Sequence, residues 1–184
     1  WPFTSMIATF LAKMAFCKSS MLMSPNSWPC KDTAAQMRRN GISNMQTPLL
    51  HRRDVVAALV QDRGDMLVVS GLGSPTYDLM AAGDHDLNYY LWGAMGGAAM
   101  IGLGLARTNP ERSVLVVTGD GEMLMGMGSF ATIAVQAPKN LTIAILDNGY
   151  YGETGMQLSH SGRGVKLEMV AQSVGFDWVS RITS

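Results

Sequence analysis

Apolar positions after His51 follow two alternating patterns, one with helical spacing and one continuous. In residues 53–61 they recur every three to four positions, which predicts an amphipathic helix. Continuous, mostly β-branched runs at 66–69, 114–117 and 141–146 are typical of strands buried on both faces of a sheet. The pattern predicts further helices at 75–80, 95–106, 123–135 and 166–174, and an extended piece at 87–91. Strands alternating with helices indicate an α/β fold, a parallel sheet with helices on both faces.

Each of the three predicted strands is followed by a glycine-containing polar loop. These loops span residues 71–74, 119–122 and 147–150. The carboxyl ends of parallel strands meet at one edge of the sheet, where α/β proteins bind their ligands. We therefore expect the functional site at this edge.

The middle loop, Gly119-Asp120-Gly121-Glu122, gives the clearest indication of what the site binds. Glycines on both sides of Asp120 let backbone N–H groups approach an anion at the start of the next helix. A carboxylate at the centre of an anion site is repulsive unless a cation lies between the two charges. Mg²⁺ fits this place because it takes oxygen ligands together with phosphates, and Asn148 can add an amide oxygen.

Other interpretations of the glycine loops remain open at this point. A dinucleotide fingerprint over 119–124 ends in Leu124 rather than a small residue, and a second match at 126–131 lies inside a predicted helix. The chain has no G-x-x-x-x-G-K-[ST] phosphate loop. The loops at 119–121 and 148–149 could each be a simple tight turn. Their matching positions after two strands favour a shared site.

The net charge of zero is the sum of two unlike segments. The chain has 14 basic and 14 acidic residues, but residues 1–44 carry five basic side chains against one acid and only one of the 20 glycines. We interpret 1–44 as a poorly ordered leader or upstream-translated segment, and 45–184 as the functional module. The apolar run 6–12 is shorter than the ~18 residues that a membrane span needs. The two cysteines of residues 1–44, Cys17 and Cys30, lack the spacing of a zinc site.

Charge also bears on the partners of the chain. A neutral total and an acidic module do not suit nucleic acid, where neutralisation of phosphates dominates affinity. We therefore expect no nucleic-acid partner. The short apolar run predicts no membrane association, and we expect a cytoplasmic location.

Gly119-Asp120-Gly121, followed after 25 residues by Asp147-Asn148, resembles the thiamine-diphosphate motif, in which Gly-Asp-Gly precedes Asn-Asn. The first asparagine is replaced by Asp147, whereas the second, the family's metal ligand, is kept as Asn148. Segments 93–96, 101–106, 151–155 and 157–160 resemble the β subunit of sulfopyruvate decarboxylase and the related phosphonopyruvate decarboxylases. The resemblance covers about residues 68–177.

The resemblance implies the diphosphate-binding module of the thiamine-diphosphate-binding fold, in a decarboxylase that uses thiamine diphosphate and Mg²⁺. It implies that Mg²⁺ is bound by Asp120, Asn148 and the backbone carbonyl of Tyr150. Met95 would lie beneath the cofactor as the bulky residue that bends it. The cofactor contacts that the resemblance implies are Gly73, Ser74, Gly93, Met95, Gly119, Asp120, Gly121, Glu122, Asn148, Tyr150, Tyr151 and Gly152.

The resemblance also implies a partner subunit. The family's cofactor is activated by a glutamate from a different, pyrimidine-binding module. The four glutamates of this chain stand in no matching context; they are Glu111, Glu122, Glu153 and Glu168. We therefore expect a hetero-oligomer with at least two copies of each chain.

The substrate would be a small 2-oxo acid, and the candidate catalytic residues are His160 and Glu153. His160 and Arg163 could meet the acid or its distal anion. Glu153 stands where the resembled enzymes carry serine, and a carboxylate there would repel a sulfonate or phosphonate. Two alternatives stay open: a carboligase of the acetolactate synthase type, and a truncated module that only binds the cofactor or assists assembly. The family pattern continues past Asp177, so we expect the sheet to lack its last strand.

Overall fold

The computed structural model describes residues 6–11 and 50–183, and a six-stranded sheet forms its centre. The strands are β1 (Met6–Leu11), β2 (Leu67–Ser70), β3 (Asn88–Tyr90), β4 (Val114–Gly119), β5 (Leu141–Asp147), β6 (Tyr150–Tyr151), β7 (Gln157–Leu158) and β8 (Trp178–Ile182). Six of them lie in the order β3-β2-β4-β5-β1-β8, and every neighbouring pair is parallel. β6 and β7 form a separate antiparallel pair. The predicted parallel sheet is confirmed.

Helices cover both faces of the sheet. They are α1 (Arg52–Val60), α2 (Ser74–Ala81), α3 (Ala98–Thr108), α4 (Asp120–Met125), α5 (Ser129–Gln136) and α6 (Leu167–Ser173). α3, α5 and α6 pack on one face, around Val116 and its neighbours. α1 and α2 pack on the other, around Val117. Successive strand side chains point to opposite faces, so the continuous apolar runs fill both cores.

The structure corrects three details of the predicted elements. The single helix over 123–135 is divided into α4 and α5, with Gly126–Gly128 between them. The helix expected from Met95 begins at Ala98, because the residues before it form a turn with positive φ at Ala94 and Gly96. β8 follows Asp177, which corrects the expectation that the strand after it would be missing.

The N-terminal segment contributes β1, which pairs with β5 on one side and β8 on the other. The remainder of residues 1–49 lies outside the described part of the chain. The division into a leader at 1–44 and a module at 45–184 therefore stays a prediction.

The sheet topology creates a crevice at the carboxyl ends of β2 and β4. These strands are neighbours, with Ser70 opposite Val117. The chain leaves β2 for α2 on one face and leaves β4 for α4, whose buried Met123 joins the core of the other face. Loops that diverge to opposite faces open a crevice between them, which is where ligands bind in this class of sheet.

Two glycines of α3 provide a matched test of how closely this helix packs. A Cβ at Gly102 would collide with the side chain of Val116 and lie 3.2 Å from Leu141, whereas a Cβ at Gly104 would meet nothing within 4 Å. We expect Gly102→Ala to lower the free energy of unfolding by about 2 kcal/mol through overpacking. Gly104→Ala should raise it by roughly 0.5–1 kcal/mol through helix propensity. Urea denaturation measures both, and equal effects of the two changes would contradict the close packing of α3.

Candidate functional site

A cavity of about 450 Å³ opens at the carboxyl ends of β2, β4 and β5. The loops after these strands and the first residues of α1 wall it. The cavity brings together Ser74, Met95, Gly119, Asp120, Gly121, Glu122, Asn148, Tyr150, Tyr151, Gly152 and Glu153 from the predicted residues. Gly73 lies between two lining residues, whereas Gly93, His160 and Arg163 lie outside the lining.

Asp120 is the first residue of α4 and is only 2% exposed. Its Oδ2 accepts hydrogen bonds from the hydroxyls of Ser159, at 2.5 Å, and Ser161, at 2.7 Å. Its Oδ1 accepts a longer one from the backbone N–H of Asn148, at 3.4 Å. The fold thus joins two loops that are 28 residues apart through this one carboxylate. The sequence prediction missed both serines. The available signal was two hydroxyl residues, one within the resembled segment that ends at His160 and one directly after it, in a chain whose Asp120 needs hydrogen-bond donors.

Asp147 is a second buried carboxylate beside Asp120. Its Oδ1 accepts hydrogen bonds from Ser161 Oγ, at 2.8 Å, and from the N–H of Gly149, at 3.0 Å. Burial raises the pKa of Asp147; the Ser161 hydrogen bond opposes this, and the nearby Asp120 charge adds to it. Two carboxylates that share one serine donor form a site of concentrated negative charge, which a cation would stabilise.

The oxygen atoms beside this pair suit a hard cation. Asn148 is exposed, and its Oδ1 accepts a hydrogen bond from the N–H of Tyr150 at 2.8 Å. Tyr150 belongs to β6, which pairs with β7 and so fixes its backbone. Carboxylate, amide and carbonyl oxygens are the ligand types that Mg²⁺ takes, usually with waters and phosphates completing its shell. The residues present fit Mg²⁺, with Asp120, Asn148 and Tyr150 as the candidate ligands.

The buried side chain of Glu122 links the loop after β2, the end of β4 and the start of α3. Its Oε2 accepts hydrogen bonds from the N–H of Leu72, at 3.1 Å, and from Thr118 Oγ1, at 2.9 Å, while Oε1 accepts one from the N–H of Ala98, at 3.4 Å. Burial raises the pKa of Glu122, and these hydrogen bonds counteract the rise. The sequence prediction considered only the backbone of Glu122 and missed this role of its carboxylate.

Met95 lies in a tight turn between β3 and α3 and is 38% exposed. Ala94 and Gly96 on its two sides have φ of 48° and 88°. Gly96 packs directly against the backbone of Gly126, so a Cβ at Gly126 would lie 2.8 Å from the Cα of Gly96. This contact holds Met95 at the cavity wall, and its place beneath the cofactor stays a prediction.

Tyr151 and Glu153 lie over the glycines of the other loops. A Cβ at Gly121 would lie 2.6 Å from the ring of Tyr151, and a Cβ at Gly73 would collide with the carboxylate of Glu153. The hydroxyl of Tyr151 is 2.9 Å from Nδ1 of His160. Tyr151 lines the cavity and so links His160, which lies outside the lining, to the site. The catalytic roles of His160 and Glu153 stay predictions.

A basic wall of the cavity comes from α1, which the sequence prediction treated only as an amphipathic helix. Arg52 and Arg53 line the cavity, and the Nη1 of Arg52 donates a hydrogen bond to Ser74 Oγ at 3.0 Å. Adjacent arginines at the start of a helix were the available signal. Their contact with the loop after β2 could not be foreseen from spacing.

Among the described residues, no helix combines the length and apolar character that crossing a bilayer requires.

Residues 73–183 match the family model described as thiamine pyrophosphate enzyme, C-terminal TPP binding domain. The chain is 41% identical over 130 residues to the sulfopyruvate decarboxylase subunit beta of Methanocaldococcus jannaschii, covering 70% of this chain and 69% of that subunit. It is 44% identical over 120 residues to the phosphonopyruvate decarboxylase of Streptomyces viridochromogenes, covering 65% of this chain and 30% of that protein. The match thus spans about two thirds of a β subunit but less than a third of the longer enzyme.

The fold also resembles a solved structure, a putative thiamin diphosphate-dependent enzyme isolated from Mycobacterium smegmatis. The TM-score is 0.56 at 23% sequence identity, and the match covers 67% of this chain and 25% of the other. At this identity the similarity supports the fold alone.

Proposed function

The chain belongs to the thiamine pyrophosphate enzymes, and on that premise we propose that it is the cofactor-binding subunit of a thiamine diphosphate- and Mg²⁺-dependent 2-oxo acid decarboxylase. The family predicted from the Gly-Asp-Gly turn is confirmed, and so is the fold class. The observation that carries the proposal is the meeting of Asp120, Asn148 and Tyr150 in one cavity with the glycine turn at 119–121.

The chain's own residues would bind and orient the cofactor. Asp120, Asn148 and the carbonyl of Tyr150 would hold Mg²⁺, and the backbone amides of Gly121 and Glu122 would bind the diphosphate at the start of α4. When bound, the cofactor supplies a thiazolium ring that accepts the electron pair released as CO₂ leaves the 2-oxo acid. Met95 would support the cofactor, and the Glu122 carboxylate would hold the loop after β2 and the start of α3 against β4.

The proposal includes a partner subunit. The β-subunit name of the Methanocaldococcus jannaschii relative supports an assembly with another chain. Glu122 already accepts three hydrogen bonds within its own chain, and Glu153 lies against Gly73. The glutamate that activates the cofactor would therefore come from a pyrimidine-binding partner, in a complex with at least two copies of each chain. The proposal also places the enzyme in the cytoplasm.

The test of function is decarboxylation by the chain together with a candidate pyrimidine-binding partner. Sulfopyruvate, phosphonopyruvate and pyruvate are supplied with thiamine diphosphate and Mg²⁺, and CO₂ release and products are measured. We expect CO₂ release that requires both chains. Formation of acetolactate from pyruvate would favour a carboligase instead, and no turnover with any acid would contradict the decarboxylase.

The carboxylate of Glu153 lies at Gly73, which is one of the cofactor contacts that the family resemblance implies, so it would lie near the diphosphate. Because like charges repel, we expect Glu153→Gln to raise the affinity for thiamine diphosphate about tenfold at fixed Mg²⁺. Glu153→Ser should act in the same direction, and the exposed Glu111→Gln serves as the control. Calorimetry measures the dissociation constants. Weaker binding by Glu153→Gln would show that this carboxylate assists the cofactor.

A further inference from the structure

Two arginine side chains line the cavity, and the proposed binding of Mg²⁺ and cofactor assigns no role to them. The described lining of the cavity contains four carboxylates, those of Asp120, Glu122, Asp147 and Glu153. The Lys and Arg side chains in the same lining are Arg52 and Arg53, both on the first turn of α1. An anion entering the cavity would therefore meet favourable side-chain charge at this wall.

Asp78 fixes the position of both arginines. It lies in α2 with its side chain fully buried, and the Nε atoms of Arg52 and Arg53 lie 2.7 Å and 3.3 Å from its two carboxylate oxygens. Oδ2 accepts no aligned hydrogen bond, so the contact with Arg52 is mainly ionic. Two cations share one buried anion, which leaves a surplus positive charge at the cavity wall.

The contact between Arg52 and Ser74 places the guanidinium of Arg52 next to the loop after β2. Nη1 of Arg52 donates to Ser74 Oγ at 3.0 Å. Ser74 is the first residue of α2 and follows Gly73, whose φ of 78° turns the chain into the helix. A guanidinium with several N–H donors beside a hydroxyl suits an acceptor that has oxygens in several directions.

We propose that Arg52 and Ser74 form a binding site for a tetrahedral oxyanion, that is a phosphate, phosphonate or sulfonate group, with Arg53 adding charge behind it. This site rests on the proposed function. The oxyanion comes either from the diphosphate of the cofactor or from the distal group of an anionic 2-oxo acid. Asp78 acts as a positioning residue, because it holds the guanidinium groups without reaching the cavity lining.

The test is calorimetry on the full chain and on the variants Arg52→Gln and Ser74→Ala. The first arm titrates thiamine diphosphate in the presence of Mg²⁺. The second titrates sulfopyruvate, and separately pyruvate, into chain saturated with thiamine diphosphate and Mg²⁺. Ser74→Ala leaves the ion pair with Asp78 intact, so it remains informative if Arg52→Gln unfolds. Arg107→Gln, exposed on α3, is the matched control for loss of one positive charge.

We expect each variant to lose about tenfold or more in affinity in one arm, the size of a lost hydrogen bond to a charged group. Loss in the first arm assigns the oxyanion to the cofactor. Loss in the second arm, for sulfopyruvate but not pyruvate, assigns it to the substrate. Wild-type binding with both variants unchanged in both arms would overturn this inference alone. A wild-type chain that binds none of the ligands, alone or together with the pyrimidine-binding partner, would overturn the proposed function, and this inference with it.

Discussion

Replacing Asp120 with alanine is expected to weaken Mg²⁺-dependent binding of thiamine diphosphate by more than about a hundredfold. Asp120 is the one carboxylate among the three proposed metal ligands, so its loss leaves two neutral oxygens to hold a divalent cation. The diphosphate would then face the turn at 119–121 without a full counter-charge. Calorimetry with and without Mg²⁺ measures the effect.

The fold should tolerate this change. Ser161 keeps a second acceptor in Asp147. Burial is the main cause of the raised pKa of Asp147, and removing Asp120 relieves the smaller repulsion that adds to it. Ser159 Oγ can still pair with Ser161 Oγ, whereas the N–H of Asn148 loses its acceptor. We therefore expect the free energy of unfolding to fall by about 1–3 kcal/mol. If the variant is folded but no longer binds thiamine diphosphate in the presence of Mg²⁺, the loss is due to the missing metal ligand.

The matched control is Asp147→Asn, which removes the neighbouring charge but keeps an oxygen for Ser161 and Gly149. We expect this variant to keep its affinity within a few-fold, since Asp147 is not among the proposed ligands. An equal loss in both variants would mean that the total negative charge, rather than coordination by Asp120, attracts the metal. Unchanged binding by Asp120→Ala would contradict the proposed metal site.

Gly126→Ala is expected to lower the free energy of unfolding by about 3 kcal/mol and to weaken binding of the cofactor. A Cβ at Gly126 would collide with the carbonyl oxygen of Gly96 and lie 2.8 Å from its Cα. These are backbone atoms, and Gly96 has a φ of 88°, so the turn cannot yield by changing a rotamer. The turn that presents Met95 would have to move away from the cavity.

Gly128→Ala is the control, because a Cβ at Gly128 would meet nothing within 4 Å and its φ of −60° suits any residue. Urea denaturation and calorimetry on both variants test the prediction. If both glycines tolerate alanine equally, the contact between Gly96 and Gly126 does not position Met95.

Much of this site was predictable because its parts come directly after strands. The residues between Gly119 and Asn148 are enough for a crossover through helices and one further strand. Both residues therefore lie at strand ends on the same edge of the sheet. The N–H of Asn148 accordingly donates to Asp120 in the structure. The need for glycine at position 121 was also predictable, because a backbone that other groups approach closely has no room for a side chain. In the structure a Cβ at Gly121 would lie 2.6 Å from the ring of Tyr151.

The features that were missed depend on contacts between side chains far apart in sequence. Glu122 meets Leu72 and Ala98 only because β2, β4 and the start of α3 converge at one edge of the sheet. Arg52 meets Ser74 through packing of α1 on α2. The division between α4 and α5 lies where Gly126 packs against Gly96. No local pattern of apolar positions encodes these contacts.

The most direct measurement of the central claim is a calorimetric titration of thiamine diphosphate into the full chain, with Mg²⁺ and then with excess chelator. Binding of one cofactor per chain that requires Mg²⁺ is the predicted result, since Asp120 and the diphosphate both carry negative charge and need a cation between them. Binding of equal strength in the chelator, or no binding in either condition, would contradict it.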